Sequence, residues 1–320
     1  MARLLVIGGS GFFGKSILDS YQRGLLKPFG IDAVSVLARN AQILKSQTPE
    51  LLDQTVSLVN ADISKCLELP EADYVIHAAA STDAKNYISR PAIERENIQA
   101  GTLNFCRLAP IFCRESKIIF ASSGAVYGQQ PIDLDELRED SRLMPIESLV
   151  TSKQDYAAAK RDSEQAIALL GDAGLNVSIA RCFAFVGTYL PCDRSFAIGN
   201  FLGNGLRGEP IAVNAKNPVY RSYLHADDLV QWLMNIGEVA STACPIFNVG
   251  SDEVISIQDL AKKIAIYFQV DLQLPQIQGL SEDRYIPSIE KALSIGCQIE
   301  YPLDKAIEVT VTALLKKQAP

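Results

Sequence analysis

Residues 4–14 read Leu4-Leu5-Val6-Ile7-Gly8-Gly9-Ser10-Gly11-Phe12-Phe13-Gly14. Four consecutive apolar residues suit a strand buried on both faces. The glycines that follow break it, and Phe13 to Arg23 then carries a helical pattern. The turn satisfies Gly-x-x-Gly-x-x-Gly through Gly8, Gly11 and Gly14, and Gly-x-Gly-x-x-Gly through Gly9, Gly11 and Gly14. Both spacings answer one physical demand. One glycine permits a tight turn, one lets the backbone approach a pyrophosphate, and one lets helix and strand pack closely. Free N–H groups at the start of the helix then face the phosphate charge. Strand, turn and helix in that order predict a dinucleotide site at Gly8, Gly11, Phe12, Phe13 and Gly14.

Downstream the same rhythm repeats. Apolar runs at Val34 to Ala38, Val56 to Val59, Tyr74 to Ala78, Lys117 to Ala121 and Val177 to Arg181 predict strands. Helical stretches lie between them, the longest over Ala92 to Leu108 and Ser152 to Leu170. This alternation predicts parallel βαβ units with right-handed crossovers. The expected fold is therefore α/β, a Rossmann-type doubly wound parallel sheet. After residue 183 the rhythm breaks, as Gly187, Pro191, Gly199, Gly203, Gly205, Gly208 and Pro210 accumulate. Shorter helices are expected at Asp227 to Asn235, Ser256 to Phe268 and beyond Leu303. The expected division is a dinucleotide-binding domain over residues 1–182 and a smaller, irregular α/β substrate-binding lobe over 183–320, packed on the first.

The chain has 320 residues, 48% of them apolar, which is enough for a substantial core. Its net charge of -7 weighs against nucleic acid or an anionic membrane surface as partner. Seven cysteines contain no Cys-x-x-Cys pair, and the histidines are only His77 and His225, so no metal site is expected. The thiols read as those of a protein in a reducing cytoplasm. The first apolar run is short and leads into glycines, like a strand rather than a leader peptide. No apolar stretch approaches the roughly 20 residues of a membrane helix.

The second strand ends Leu37-Ala38-Arg39-Asn40. An acidic residue there would bind a ribose 2′-hydroxyl, but Asp32 stands at the opposite end. Arg39 cannot accept a hydrogen bond, yet it can pair with a 2′-phosphate. NADP is the expected cofactor. NAD is the alternative, with Arg39 stacked on adenine or turned to water.

Tyr156 and Lys160 stand four apart in a predicted helix and share one face. A tyrosine at its ordinary pKa of about 10 is a poor base at neutral pH. A neighbouring ammonium stabilises the phenolate and is expected to pull that pKa down. Ser122-Ser123-Gly124-Ala125-Val126-Tyr127-Gly128 lies just beyond the fifth strand, and its hydroxyls can hold a substrate oxygen beside the phenol.

Together these runs resemble the extended short-chain dehydrogenase/reductases, the nucleotide-sugar epimerase/dehydratase family. The resemblance covers nearly the whole chain. It takes in the glycine turn, Asp62-Ile63, His77-Ala78-Ala79-Ala80, Glu96-Asn97, the Ser122 to Gly128 run and Tyr156-x-x-x-Lys160. It continues through Arg181-Cys182-Phe183, Arg221 to Leu229, Phe247 to Gly250 and Arg284 to Pro287. The resemblance implies that Tyr156 is the general acid/base and that Lys160 lowers its pKa and binds the nicotinamide ribose. Ser123, three before Val126, would bond the reacting oxygen, with Ser122 the second choice. Asp62 and Ile63 would meet the adenine, and Ala78, Ala79 and Ala80 would let the cofactor approach. Phe183 would lie beside the nicotinamide. Arg221 and Arg284 would hold the diphosphate of a nucleotide sugar, against the alternative of surface ion pairs. A homodimer through the two long helices is also implied.

The sequence departs from the pattern at two places. The family's 4,6-dehydratases resemble this run with an Asp-Glu pair where Gly124 and Ala125 stand. Its sugar-acid decarboxylases carry a Glu at the position of Ala125. Neither Gly124 nor Ala125 can carry a proton. After Phe183 the family often places Asn, but here Ala184 follows. Asn200 is a candidate for the missing substrate amide, set against a capping or packing role. His225 with Asp227 and Asp228 reads as the end of a strand and the start of a helix. The expected reaction is reduction of a keto group on a nucleotide-activated sugar, with NADPH as reductant. A nucleotide-sugar 4-epimerase with tightly bound NAD is the alternative. Behind these stand a reductase of non-sugar carbonyls and a non-catalytic NADP-binding protein on the same fold.

Overall fold

The computed structural model describes residues 2–80, 89–192, 196–279 and 281–318. Six strands form where the apolar runs stand: β1 (Ala2–Ile7), β2 (Ile31–Ala38), β3 (Val56–Asn60), β4 (Tyr74–His77), β5 (Lys117–Ser123) and β6 (Asn176–Cys182). Short strands follow: β7 (Phe185–Val186), β8 (Ile211–Ala212), β9 (Val219–Arg221), β10 (Leu224–His225), β11 (Ile246–Val249), β12 (Ile255–Ser256), β13 (Leu272–Gln273) and β14 (Asp283–Tyr285). The longer helices are α1 (Phe12–Gln22), α2 (Pro91–Phe112), α3 (Thr151–Asp172), α4 (Ala197–Leu206), α5 (Ala226–Glu238), α6 (Ile257–Phe268) and α7 (Leu303–Gln318).

The main sheet runs β11-β6-β5-β4-β1-β2-β3, and every pairing in it is parallel. The winding reverses between β1 and β4. There the crossover helices leave to opposite faces and a crevice opens beyond the strand ends. Leu4 to Ile7 are fully buried, as an apolar run without alternation requires. Leu5, Ile7, Val75, Ile118 and Phe120 pack on α2 and α3 through Phe105, Leu108, Ile167 and Leu170. Leu4, Val6, Ile76 and Ile119 face the other way, onto Ile17 of α1 and Trp232 of α5. Each large side chain so buried contributes roughly 1.5–3 kcal/mol.

The sheet draws on both parts of the chain. β11 lies beyond residue 183, yet it pairs with β6, Asn248 opposite Arg181. The rest of the later chain forms small sheets, β12-β9-β14 the largest. His225 caps α5, its Nδ1 accepting from the Asp227 N–H at 3.2 Å. Trp232 is fully buried, and its indole N–H donates to the Gln298 carbonyl at 2.7 Å. Among the described residues no helix is long and apolar enough to cross a membrane.

Candidate active site

The glycine turn closes on the neighbouring strand as tightly as the sequence requires. Gly8 has φ +87°, and a Cβ there would stand 2.6 Å from the Ala79 Cα. A Cβ on Gly14 would stand 2.0 Å from the Gly9 carbonyl oxygen, so helix α1 can approach β1 only without one. Around Gly11 the nearest atom to such a Cβ is 3.8 Å away, leaving the turn open on that side. Gly11 is exposed at the N-terminus of α1, where no side chain caps the first N–H groups. These features fit a dinucleotide pyrophosphate. The Phe12 and Phe13 rings pack edge to face on each other, and Phe185 meets Phe13 edge to face and Phe12 at a tilt.

The ends of β2, β3 and β4 surround the same crevice. Ala78 donates its N–H to the Ile7 carbonyl at 2.9 Å, which carries Ala78, Ala79 and Ala80 across the mouth of the turn. Asp62 accepts from the Ser64 N–H at 3.0 Å and the Ser64 hydroxyl at 2.8 Å. Those hydrogen bonds, together with the charges of Arg39 and Lys65, outweigh burial and hold its carboxyl below the usual range. Arg39 is exposed and close enough to Asp62 to act on it. Ile63 is buried and would lie 3.1 Å from a Cβ on Gly101 of α2.

Ser123 ends β5, and Tyr156 and Lys160 face it from α3. Ala157 and Ala159 between them are fully buried, and their small size lets α3 lie close to β5. The Ser123 Oγ accepts from the Ala125 N–H at 3.2 Å and is within hydrogen-bonding reach of the Tyr156 phenol. Lys160 is buried; its Nζ donates to the Ala121 carbonyl at 2.7 Å and stands 5.9 Å from the Tyr156 ring centre. Ser122 points elsewhere. Its hydroxyl donates to Glu164, deep between α3 and β6. Of the two serines, Ser123 is the one beside the phenol.

The electrostatics differ from the sequence-based expectation. Protein atoms crowded around the Tyr156 hydroxyl push its pKa up to about 12, against a smaller pull from Ser123. Burial also pushes Lys160 down to about 8. Desolvation of the phenol thus outweighs the pull of its neighbours.

Phe183, buried at the end of β6, packs its ring 4.6 Å from that of Tyr285. Tyr285 carries no sequence signal of its own beyond its place in the Arg284 to Pro287 run. A Cβ on Gly124 would stand 2.6 Å from the Tyr285 hydroxyl and 2.8 Å from the Phe183 ring. That hydroxyl is also within reach of Ser123.

Arg221 and Arg284 are set on opposite faces of their small sheet. In the β9–β14 pairing Arg221 stands beside Tyr285, and Arg284 beside Tyr220. Arg221 lies 6.0 Å from the Tyr285 ring centre and pairs with Asp283 at 2.8 Å. Arg284 lies 5.2 Å from the Tyr220 ring and 3.5 Å from Glu282. A joint grip on one diphosphate therefore requires Arg284 to reach around its strand, because alternate residues point to opposite sides. Asn200 sits on α4, which packs on α6 and α7.

A buried polar network behind the site was not expected. Arg181 pairs with Glu164 at 2.8 Å, donates to the Glu139 carbonyl at 3.1 Å and lies 4.8 Å from the Tyr127 ring centre. The Tyr127 hydroxyl donates to Asn248 at 2.7 Å, and Asn248 donates to the Leu137 carbonyl at 2.8 Å. Arg161 holds the Val126 and Met144 carbonyls at 2.7 and 2.6 Å. The network ties α3, β6 and β11 to the turn that carries Ser123.

The model of the NAD dependent epimerase/dehydratase family matches residues 4–250. A UDP-glucuronic acid decarboxylase 1 of Danio rerio is 24% identical over 314 residues, covering 97% of this chain and 72% of that protein. Among solved structures, a UDP-glucose 4-epimerase of Thermotoga maritima with UDP-glucose superposes with a TM-score of 0.82 at 20% identity, covering 99% of this chain and 100% of that one. A UDP-glucose 4-epimerase of Thermus thermophilus in complex with NAD superposes with a TM-score of 0.78 at 22% identity, with the same coverage.

Proposed function

Because the chain belongs to the NAD dependent epimerase/dehydratase family, we propose that it inverts one carbon, C4, of a nucleotide-activated sugar, using a dinucleotide that stays bound through the cycle. The observation that carries this reading is Tyr156 beside Ser123, with glycine and alanine, which carry no proton, at positions 124 and 125. Epimerisation needs only one proton carrier, used twice. Tyr156 accepts the sugar hydroxyl proton as the alcohol becomes a ketone, then returns it when the ketone is reduced from the other face. A nicotinamide, when bound, supplies the acceptor and donor of the hydride. Ser123 holds the reacting oxygen, Lys160 orients the ribose side of the site, and Arg221 faces the substrate phosphates with Arg284 behind it. Gly8, Gly11 and Gly14 form the pyrophosphate cradle.

The solved structures named above favour this reading over net reduction of a keto sugar, which Arg39 had suggested. Asp62 beside Arg39 supplies a negative charge that a 2′-phosphate would have to face, which supports NAD over NADP. The decarboxylase activity named for the Danio rerio relative does not carry over, because Ala125 moves no proton.

The test presents the full chain with UDP-glucose, UDP-N-acetylglucosamine and dTDP-glucose in the presence of NAD, followed by proton NMR. The expected result is the C4 epimer with no net NADH or NADPH consumed, and a fall of roughly 10²–10⁴-fold in Tyr156→Phe. Stoichiometric loss of NADPH on a 4-keto sugar nucleotide, without epimer, overturns it in favour of reduction. For the cofactor, NAD affinity is expected to survive Arg39→Ala; selective loss of a tighter NADP affinity in that variant restores NADP.

A further inference from the structure

We propose that Asp283 is a positioning residue for the phosphate end of the substrate, holding Arg221 so that one edge of its guanidinium, Nε and Nη2, is left for a phosphate. This rests on the reading of Arg221 as the cation that faces the substrate phosphates. The two residues come from neighbouring strands of one small sheet. β14 runs parallel to β9, with Asp283 opposite Val219 and Tyr285 opposite Arg221. Asp283, Tyr285 and Arg221 therefore share a face. The Asp283 N–H donates to the Pro218 carbonyl at 2.9 Å, which fixes the backbone that carries the carboxylate.

The orientation of Arg221 follows from counting donors. A guanidinium has five N–H groups in one rigid plane. Arg221 Nη1 donates to the Tyr220 carbonyl at 2.7 Å and to the Asp283 carbonyl at 3.0 Å. Its Nη2 donates to Asp283 Oδ2 at 2.8 Å. Asp283 thus takes one N–H from each terminal nitrogen and sits on the edge between them. The Nε–H and the second Nη2–H make up the adjacent edge, and two parallel donors of this kind match two oxygens of one phosphate. The Tyr285 ring centre is 6.0 Å from the guanidinium carbon and 4.6 Å from the Phe183 ring, so the fork stands one aromatic ring away from Phe183.

Folding stability does not account for the pair. The Asp283 side chain is 52% exposed, and ion pairs so open to water contribute little to the fold. The Arg221 side chain is only 18% exposed, so what the pairing controls is the direction of its plane. Arg284, on the other face, is held more loosely, meeting Asp135 and Glu282 no closer than 3.5 Å. A fork already aimed in the empty site loses less freedom when the phosphate arrives.

The test titrates UDP and uridine into the full chain with NAD, by calorimetry. Asp283→Ala removes a negative charge beside the phosphates, so charge repulsion alone would tighten UDP. Positioning requires the reverse: a UDP Kd about three- to tenfold higher, the fold-change of one net hydrogen bond, with uridine unchanged within about twofold. Asp283→Asn keeps an oxygen for Nη2 and is expected to bind UDP at least as tightly as wild type. An Asp283→Ala protein that binds UDP as tightly as wild type or tighter overturns the proposal. So does equal weakening of UDP and uridine, or an Asp283→Asn protein as weak as Asp283→Ala. The phosphate reading of Arg221 fails separately, if Arg221→Ala binds UDP with the wild-type Kd.

Discussion

Arg181 and Glu164 form an ion pair, 2.8 Å between Nη2 and Oε2, with their side chains only 6% and 9% exposed. Glu164 is one helical turn beyond Lys160 and two beyond Tyr156, so the pair anchors the catalytic face of α3 to β6. Buried pairs of this kind contribute little net stability compared with apolar packing, but breaking one leaves a stranded charge.

Glu164→Ala is therefore expected to cost about 3–5 kcal/mol in urea unfolding, because Arg181 stays charged and Ser122 loses its acceptor. Glu164→Gln keeps an acceptor for Ser122 and is expected to cost less. Both variants are expected to lower kcat more than cofactor affinity, since they loosen α3 and leave the glycine cradle untouched. Equal stability of Glu164→Ala and wild type would rule out the anchoring role.

Gly124→Ala tests the space that Tyr285 occupies. The added carbon would meet the Tyr285 hydroxyl at 2.6 Å and the Phe183 ring at 2.8 Å. Both rings sit in rigid surroundings, so strain of about 1–3 kcal/mol is expected. Displacement of groups beside Ser123 by about 1 Å predicts a kcat loss on the order of 10²-fold. NAD affinity, read by fluorescence titration, is expected to stay within about twofold, since the change leaves the pyrophosphate cradle intact. A large loss of NAD binding would show that the change spreads beyond the reaction centre.

The local parts of this site were legible in the sequence because local physics fixes them. Gly8 and Gly14 are needed by a turn that closes within seven residues, and Tyr156 and Lys160 share a face through helical periodicity. Ser123 was placed only through the family resemblance, three before Val126, with Ser122 as the second choice. What the sequence did not reveal depends on elements that meet only in three dimensions. Tyr285 reaches Ser123 across 162 positions of chain, through the pairing of β14 with β9. The same register turns Arg221 and Arg284 to opposite faces, which their separate motifs could not disclose. β11 returns to the main sheet from beyond residue 183 because its Asn248 and Val249 are wholly buried there. The direction of the Tyr156 pKa was missed for a related reason: spacing shows which charge is near, while only the packed structure shows how much water is gone.

Lys160 gives the sharpest test of that last effect. Its folded-state pKa is depressed from 10.5 to about 8 by burial. Between those values the unfolded chain binds a proton that the folded chain does not, so wild-type stability falls as pH drops from about 10.5 to about 8 and then levels off. Lys160→Met removes this titration while keeping a similar volume. Its stability advantage over wild type is expected to grow across that window, by up to about 3 kcal/mol before subtraction of the lost bond to the Ala121 carbonyl. Urea unfolding of both proteins without cofactor, at pH 7.5 and at pH 10, reads this difference directly. The variant is expected to be nearly inactive yet more stable at pH 7.5, since the lysine is kept in a dry position for its function rather than for the fold. A Lys160→Met protein less stable than wild type at pH 7.5, or with an advantage that does not change with pH, would mean that the buried amine is well solvated by its neighbours.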